Sequence, residues 1–450
     1  MTSSPPPLAP PPPPPAPAPA PGTPPARERS LAPDLGRGLM LLLIAIANST
    51  WYLWGHSGSM ASPHPTDGSQ LDQVIRVVMA IAVDGRILPL FAFLFGYGMV
   101  QFARSRAARG IVPRDIKRML RRRHVGMLLL GLLHALLLFG GDILGAYAVL
   151  GLLLMLLFEA RNKTLWILVS ILVGLALVGG VSGMATLASL ESSGFDITGA
   201  DSGMDFPLAD AASGITPYWV AMLVRLAFWL AVSPTLIFTG VIPAAILLAW
   251  IAARYGVLEE PERWRPLLTK VAVGGIALGW LSGIPVALEH LGRPILSPGV
   301  SMGYMSLNYV GGTAAGLGYA AVIALIAARY RSGSRAPGLA ARLLAAVGKR
   351  SLTFYLLQSV IFAPLLAAWG LGLGEQINTT GAVLISLGIW ALSIALAAIL
   401  EWRGQPGPME AVLRRFTYLP PEKLTPAGQH FGSPLPNGPP IAPQAYAHQD

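Results

Sequence analysis

The sequence predicts an all-α fold, a polytopic integral membrane helix bundle of about ten or eleven transmembrane helices at roughly 20 apolar residues per span. Three observations predict it. Hydrophobic residues make up 53% of the 450 and charged residues only 12%, against roughly 25% charged in a soluble domain, and mean hydropathy is +0.57. Apolar runs of span length recur along the chain. Basic residues gather in the short connections between those runs, where they act as orientation signals.

Taken in order, the span-length runs lie at 38–54, 87–103, 125–141, 143–159, 164–187, 233–253, 271–288, 304–328, 352–372 and 381–400. Each falls in the range of about 17–25 residues that crosses a bilayer as a helix. Two shorter runs, 73–83 and 218–232, read as interfacial or re-entrant helices, or raise the count to eleven. The segment from Gly407 to Tyr418, with Glu410, Arg414 and Arg415, reads as a short amphipathic helix at the membrane surface. Residues 1–30 form a Pro/Ala-rich tail and 419–450 a second Pro-rich tail around a membrane domain at 31–418. Such composition buries too little apolar surface to fold, so both tails are expected to be disordered. The first apolar core begins only after Arg37, unlike a cleavable signal peptide.

Charge orients the bundle. Arg104, Arg106, Arg109, Arg114, Lys117, Arg118, Arg121, Arg122 and Arg123 form one basic loop, and 329–350 holds Arg329, Arg331, Arg335, Arg342, Lys349 and Arg350. The segment 189–215 has no basic residue but carries Glu191, Asp196, Asp201, Asp205 and Asp210. Positive-inside logic puts the basic segments in the cytoplasm and the acidic one outside. Counting spans outward places both termini in the cytoplasm of a multi-pass protein of the bacterial cytoplasmic membrane. The net charge of +10 is absorbed by these signals, so nucleic acid is not an expected partner; the lipid bilayer is.

Chemistry concentrates between Val83 and Gly151, where Asp84, Arg86, His134 and Asp142 interrupt apolar sequence. Ionisable groups at membrane depth are costly and mark candidate sites. His134 precedes Asp142 by eight residues, about 12 Å of rise on a continuous helix, which keeps the two from touching along one helix. His134 also reads as an interhelical hydrogen-bonder, Asp142 as an N-cap, Asp84 with Arg86 as an interfacial ion pair, and His56 as a solvated loop residue. Ser351 reads as the N-cap of the 352–372 span. Thr353, Tyr355 and Gln358 read as contacts for a cytoplasmic donor or as interhelical hydrogen-bonders. The absence of cysteine excludes disulfides, thiolate metal sites and cysteine nucleophiles. No Walker loop, Rossmann fingerprint, Gly-x-Ser-x-Gly elbow or His-rich metal spacing is present, and no metal or bound cofactor is expected. The GYG at 96–98 lacks the context of a channel filter.

The motifs DLGRGLMLLLIAIAN (34–48), DGRILPLFAFLFGYG (84–98), GLLHALLLFGGDILGAYAVLG (131–151), GKRSLTFYLLQS (348–359) and GPMEAVLRRFTY (407–418) resemble the bacterial YeiB family, whose members carry the domain of unknown function 418. A more distant similarity runs to membrane acyltransferases, including lysosomal heparan glucosaminide acetyltransferases and bacterial sugar O-acyltransferases. In those enzymes an Arg-Gly opening span ending in Asn precedes an outer loop with His and a span opened by Asp. Arg37, Gly38, Asn48, His56 and Asp84 hold the matching positions. The resemblance implies an acyltransferase that takes acyl-CoA as a cytoplasmic co-substrate and a small-molecule, glycan or lipid acceptor at the outer face. His134, His56, Asp84 and Asn48 would be catalytic, with a His base and an Asn donor to an oxyanion. Arg37, Arg86, Asp142, Tyr147, Tyr355 and Gln358 would bind substrate, with Arg225 a further candidate for an anionic group. A permease of a small molecule and a non-catalytic membrane protein are the other readings.

Overall fold

The computed structural model describes residues 31–56, 64–195, 210, 213–331, 336–420 and 424. The N-terminal tail, nearly all of the C-terminal tail and most of the acidic 189–215 segment lie outside the described residues. Among the described residues there is no strand. The helices are α1 (Leu31–Ser49), α2 (Gln70–Ala82), α3 (Ile87–Ala107), α4 (Pro113–Leu137), α5 (Leu144–Leu154), α6 (Asn162–Ser192), α7 (Tyr218–Phe238), α8 (Val241–Arg254), α9 (Arg265–His290), α10 (Pro298–Arg331), α11 (Leu339–Lys349), α12 (Ser351–Leu366), α13 (Thr379–Trp402) and α14 (Pro408–Thr417). Among the described residues, seven helices are long and apolar enough to cross a membrane: α1, α3, α6, α7, α9, α10 and α13. The chain is a helical membrane bundle.

Several boundaries differ from expectation, each for a local reason. The segment read as a basic loop is helical from Pro113, because Pro at N1 starts a helix and Arg and Lys propagate one well. It leads into the apolar part of α4, which stops at Leu137 rather than 141. The expected short run at 218–232 extends to Phe238, and the expected 233–253 span is cut at Gly240 (φ 74°). That backbone conformation suits glycine alone among ordinary residues. The run at 352–372 is helical only to Leu366, with Pro364 in its last turn. The chain then closes back through Leu371 N–H to Pro364 O at 2.8 Å and a 3₁₀ turn at Leu373–Glu375.

Small residues set the helix packing. A Cβ on Gly279 would stand 2.3 Å from the Ala315 Cβ, and one on Gly275 2.4 Å from Ala314 O, so α9 and α10 meet backbone to backbone, as small-residue membrane interfaces do. α1 and α11 meet in the same way through Gly38 and Gly348. Arginines tie one end of the bundle together. Arg104 donates to Ala253 O and Arg254 O at 2.6 and 2.8 Å, and Arg254 donates to Phe158 O and Ala160 O, both at 2.7 Å. Arg350 bonds Gln405 O and Glu401. Cations on the orphan carbonyls at helix ends satisfy the backbone and complement the dipole.

Two carboxylates cap helices from a distance. Glu410 on α14 accepts from Leu352 N at 2.8 Å, Thr353 N at 3.2 Å and Thr353 Oγ1 at 2.5 Å. Glu410 therefore caps α12, in place of the expected Ser351, which is already inside the helix, and Thr353 is held by that cap. Asp72 accepts from Ser69 N and Oγ at the start of α2, and from Thr380 N (2.7 Å) and Thr380 Oγ1 (2.6 Å) at the start of α13. Burial works to raise the Asp72 pKa, but the hydrogen bonds from Ser69 and Thr380 outweigh it and hold the carboxyl well below the usual range. A depressed folded-state pKa stabilises above the unfolded value and ceases to do so as pH falls through the folded one. Asp72→Asn is therefore expected to lower thermal stability at pH 7, by about 1–2 kcal/mol for a lost cap. The gap to the parent protein should close as the pH drops below about 4, as read by thermal unfolding across pH.

Candidate functional site

The end of α4 builds a buried polar cluster. Leu138 N–H and Phe139 N–H both return to His134 O, at 2.9 and 3.0 Å, which ends the helix. The chain turns, Asp142 N–H bonding Phe139 O at 3.2 Å, and brings Asp142 back beside His134. The 12 Å separation expected on a continuous helix does not arise, because the helix is broken between them. His134 Nδ1 lies 2.8 Å from Asp142 Oδ1, and Tyr355 OH of α12 donates to the same oxygen at 3.1 Å. Asp142 Oδ2 accepts from Gly145 N at 2.8 Å, so the carboxylate caps α5 and holds the imidazole at once. Gly131 makes room: a Cβ there would stand 2.7 Å from Asp142 Oδ2 and 2.4 Å from Gly145 N.

His134, Asp142 and Tyr355 are 3%, 2% and 4% exposed, yet His134 Nε2 has no hydrogen-bond partner. Buried polar atoms without partners are uncommon and call for a water, an ion or a ligand. The imidazole is ringed by Tyr355 (5.2 Å between centroids) and Phe139 (6.2 Å), and Tyr52 stacks on Phe139 and Phe362. One turn beyond Tyr355, Gln358 Nε2 donates to Leu41 O at 2.8 Å, while its Oε1, also buried, is unpaired. From α7, Trp229 Nε1 donates to Asp142 O at 3.1 Å. Arg225 Nη2 donates to Leu136 O and Leu137 O at 3.3 and 3.2 Å. Chemically, this is an imidazole oriented by a carboxylate, its second nitrogen bare and shielded from water.

Asp84 and Arg86 belong to a second cluster, at the turn between α2 and α3. They do not form the expected side-chain ion pair. Asp84 Oδ2 meets His64 Nε2 at 2.7 Å, and the His64 ring lies edge-on to His290 at 5.4 Å. Arg86, fully buried, donates to the Asp84 carbonyl, to Gly279 O at 2.5 Å and to Ser282 Oγ at 3.4 Å. It fits there because Gly283 has no side chain: a Cβ would sit 2.7 Å from Arg86 Nη2. His56 pairs elsewhere, Nδ1 with Asp67 Oδ2 at 3.1 Å and Nε2 with Gly374 O at 3.2 Å. The loop histidine that meets Asp84 is thus His64.

The remaining candidates are dispersed. Arg37 contacts Asp34 Oδ1 at 3.5 Å and Leu94 O at 3.4 Å, in space left by Gly98. Asn48 is half-buried at the end of α1. Tyr147 OH donates to Leu88 O at 2.8 Å and its ring stacks on Phe91 and Phe95, joining α5 to α3. The structure brings His134, Asp142, Tyr355 and Gln358 to one region and His64, Asp84, Arg86 and His290 to another. His290 and Trp229 escaped the sequence reading. Trp229 lies one helical turn after Arg225, the one signal that could have drawn it in. No group of three or more His, Asp or Glu positioned for a metal occurs among the described residues.

Comparison with known proteins identifies relatives but no reaction. The chain is 26% identical over 369 residues to the uncharacterized protein YxaH of Bacillus subtilis (strain 168), covering 78% of this chain and 84% of the relative. No solved structure matches it. The profile of the family described as "Protein of unknown function (DUF418)" matches residues 252–420, which include α9 to α14 with Tyr355, Gln358 and Glu410. Through that region, the chain is similar to the DUF418 family.

Proposed function

We propose that the chain is a membrane acyltransferase that moves an acyl group from a cytoplasmic thioester donor, acyl-CoA, to a hydroxyl-bearing acceptor at the outer face of the cytoplasmic membrane. Both termini are then cytoplasmic, consistent with the arginine-tied end of the bundle being the inner one. The observation that carries the proposal is His134: its Nδ1 is 2.8 Å from the Asp142 carboxylate while its Nε2 is buried and unpartnered. A carboxylate on Nδ1 selects the tautomer with Nε2 bare and supports the imidazolium once it forms, the logic of histidine bases oriented by a third group.

In the step proposed, the acceptor hydroxyl gives its proton to His134 Nε2 as its oxygen attacks the thioester carbonyl. The acyl–oxygen bond forms, the acyl–sulfur bond breaks, and the proton passes from Nε2 to the departing thiolate. Tyr355, hydrogen-bonded to Asp142, keeps the carboxylate in place. The test uses the full chain purified in detergent and reconstituted in liposomes, with release of free CoA from acetyl-CoA followed in the presence of hydroxylic acceptors. His134→Gln is expected to lower turnover at least 100-fold, the low end of general-base contributions of about 10²–10⁴. Turnover retained by His134→Gln, or none in the parent protein with short- and long-chain thioesters alike, would remove the proposal.

A further inference from the structure

The contact between His134 and Asp142 exists because α4 stops at Leu137, and groups that hold the stop come from α7. On a continuous helix Leu136 O would accept from Gly140 N–H and Leu137 O from Gly141 N–H. Here Arg225 Nη2 takes their place, donating at 3.3 and 3.2 Å, and Tyr218 OH adds a second bond to Leu137 O at 3.0 Å. Gly140 and Gly141 disfavour the helical alternative, and the α7 donors supply partners that the broken end would otherwise lack. Arg225 is 1% exposed. Its charge meets the negative end of the α4 dipole and the rings of Tyr218 and Trp369, 5.2 and 5.6 Å from the guanidinium carbon. One helical turn along α7, Trp229 Nε1 reaches the far end of the turn and donates to Asp142 O at 3.1 Å. Its ring covers the start of α5: a Cβ on Gly145 would stand 2.5 Å from Trp229 Cζ2. A Cβ on Gly140 would stand 3.2 Å from both Arg225 O and the Phe228 ring, so the turn lies directly against α7.

We infer that Arg225 and Trp229 are positioning residues for the His134–Asp142 pair, the first fixing where α4 ends and the second where the Asp142 backbone lies. Neither bonds the imidazole or the Asp142 carboxylate, whose partners are His134, Tyr355 and Gly145; both act through backbone carbonyls. Were α4 to run on past Leu137, the eight residues from His134 to Asp142 would open toward the rise of about 12 Å that a continuous helix gives them. The carboxylate would then leave Nδ1. The effect of these residues on turnover rests on the acyl-transfer proposal; their hold on the imidazole does not. A role in packing alone would lower stability and leave the imidazole unchanged in whatever protein stays folded. A positioning role changes the imidazole in folded protein.

The test is histidine-selective ¹⁵N solid-state NMR on the full chain in liposomes, with thermal unfolding and thioester turnover measured alongside. Arg225→Met, which keeps much of the bulk and loses the donors, is expected to move the His134 Nδ1 resonance as far as Asp142→Asn does. Arg225→Lys keeps a cation at the helix end and should restore most of the parent signal. Trp229→Phe keeps an aromatic ring without the donor and should shift the resonance part of the way. In turnover, kcat of Arg225→Met should fall about 10²-fold at unchanged KM, the scale of a misplacement of about 1 Å. If Arg225→Met fails to fold, Trp229→Phe decides. A His134 resonance that stays at the parent position in folded Arg225→Met or Trp229→Phe overturns the inference, whatever turnover does. A shifted resonance in a protein that turns over no thioester upholds it and removes the acyl-transfer proposal alone.

Discussion

Asp142→Ala is expected to destabilise the bundle strongly. The substitution removes the acceptor for three donors at once: His134 Nδ1, Tyr355 OH and Gly145 N. Each interhelical hydrogen bond within a membrane contributes about 1 kcal/mol or less. The larger penalty comes from leaving donors buried and unsatisfied, about 1–3 kcal/mol for each such group. The expected total is about 3–5 kcal/mol, the cost of breaking a buried pair by removing one partner. Asp142→Asn retains an oxygen for Gly145 N and should cost about 1–2 kcal/mol, while presenting an amide to an imidazole that needs an anion. Thermal unfolding in detergent should therefore rank the variants parent, Asn, Ala. Thioester turnover should fall in both. An alanine variant as stable as the parent protein would mean that the cluster is not held by its carboxylate.

The second large effect is steric and belongs to the seam between α1 and α11. A Cβ on Gly38 would lie 2.1 Å from Leu344 O, and one on Gly348 only 1.8 Å from Asp34 O. In both cases the obstacle is backbone, which cannot rotate aside as a side chain would. Trp390 Nε1 also donates to Gly38 O at 3.2 Å, so α13 is registered against the same point. Gly38→Ala and Gly348→Ala are each expected to push the helices apart at a cost of about 3 kcal/mol or more, the upper end for overpacking. Folded yield and melting temperature should fall together. Gly388→Ala on α13 is the control: nothing lies within 4 Å of its Cβ position, and alanine favours a helix over glycine by about 1 kcal/mol.

Fold class was legible because the signal is one of composition and length: apolar runs separated by basic connections leave few alternatives to a helical bundle. Helix ends were less so. Gly240 and Leu137 end helices through backbone conformations set by neighbouring chain, and the Arg114–Arg123 stretch looked like a loop because charge masks helical propensity. The site was half legible. The eight-residue spacing of His134 and Asp142 was read as a separation on one helix, whereas the turn at 138–143 makes it a contact. Similarly, His56 and His64 are equivalent as loop histidines in sequence, and only the direction of α2 decides that His64 reaches Asp84. The caps show the same dependence: Glu410 lies 59 residues beyond Ser351 in the chain, and no local rule links it to the start of α12.

With its carboxylate on Nδ1, Asp142 should hold His134 with Nδ1 protonated and Nε2 bare. Histidine-selective ¹⁵N solid-state NMR on the full chain in liposomes reads this directly, the His134 signals being those lost in His134→Gln. The expected spectrum has an Nδ1–H resonance shifted by a strong hydrogen bond and an unprotonated Nε2, and the Nδ1 shift is lost in Asp142→Asn. A His134 that carries its proton on Nε2, or whose spectrum ignores the Asp142→Asn change, would contradict it.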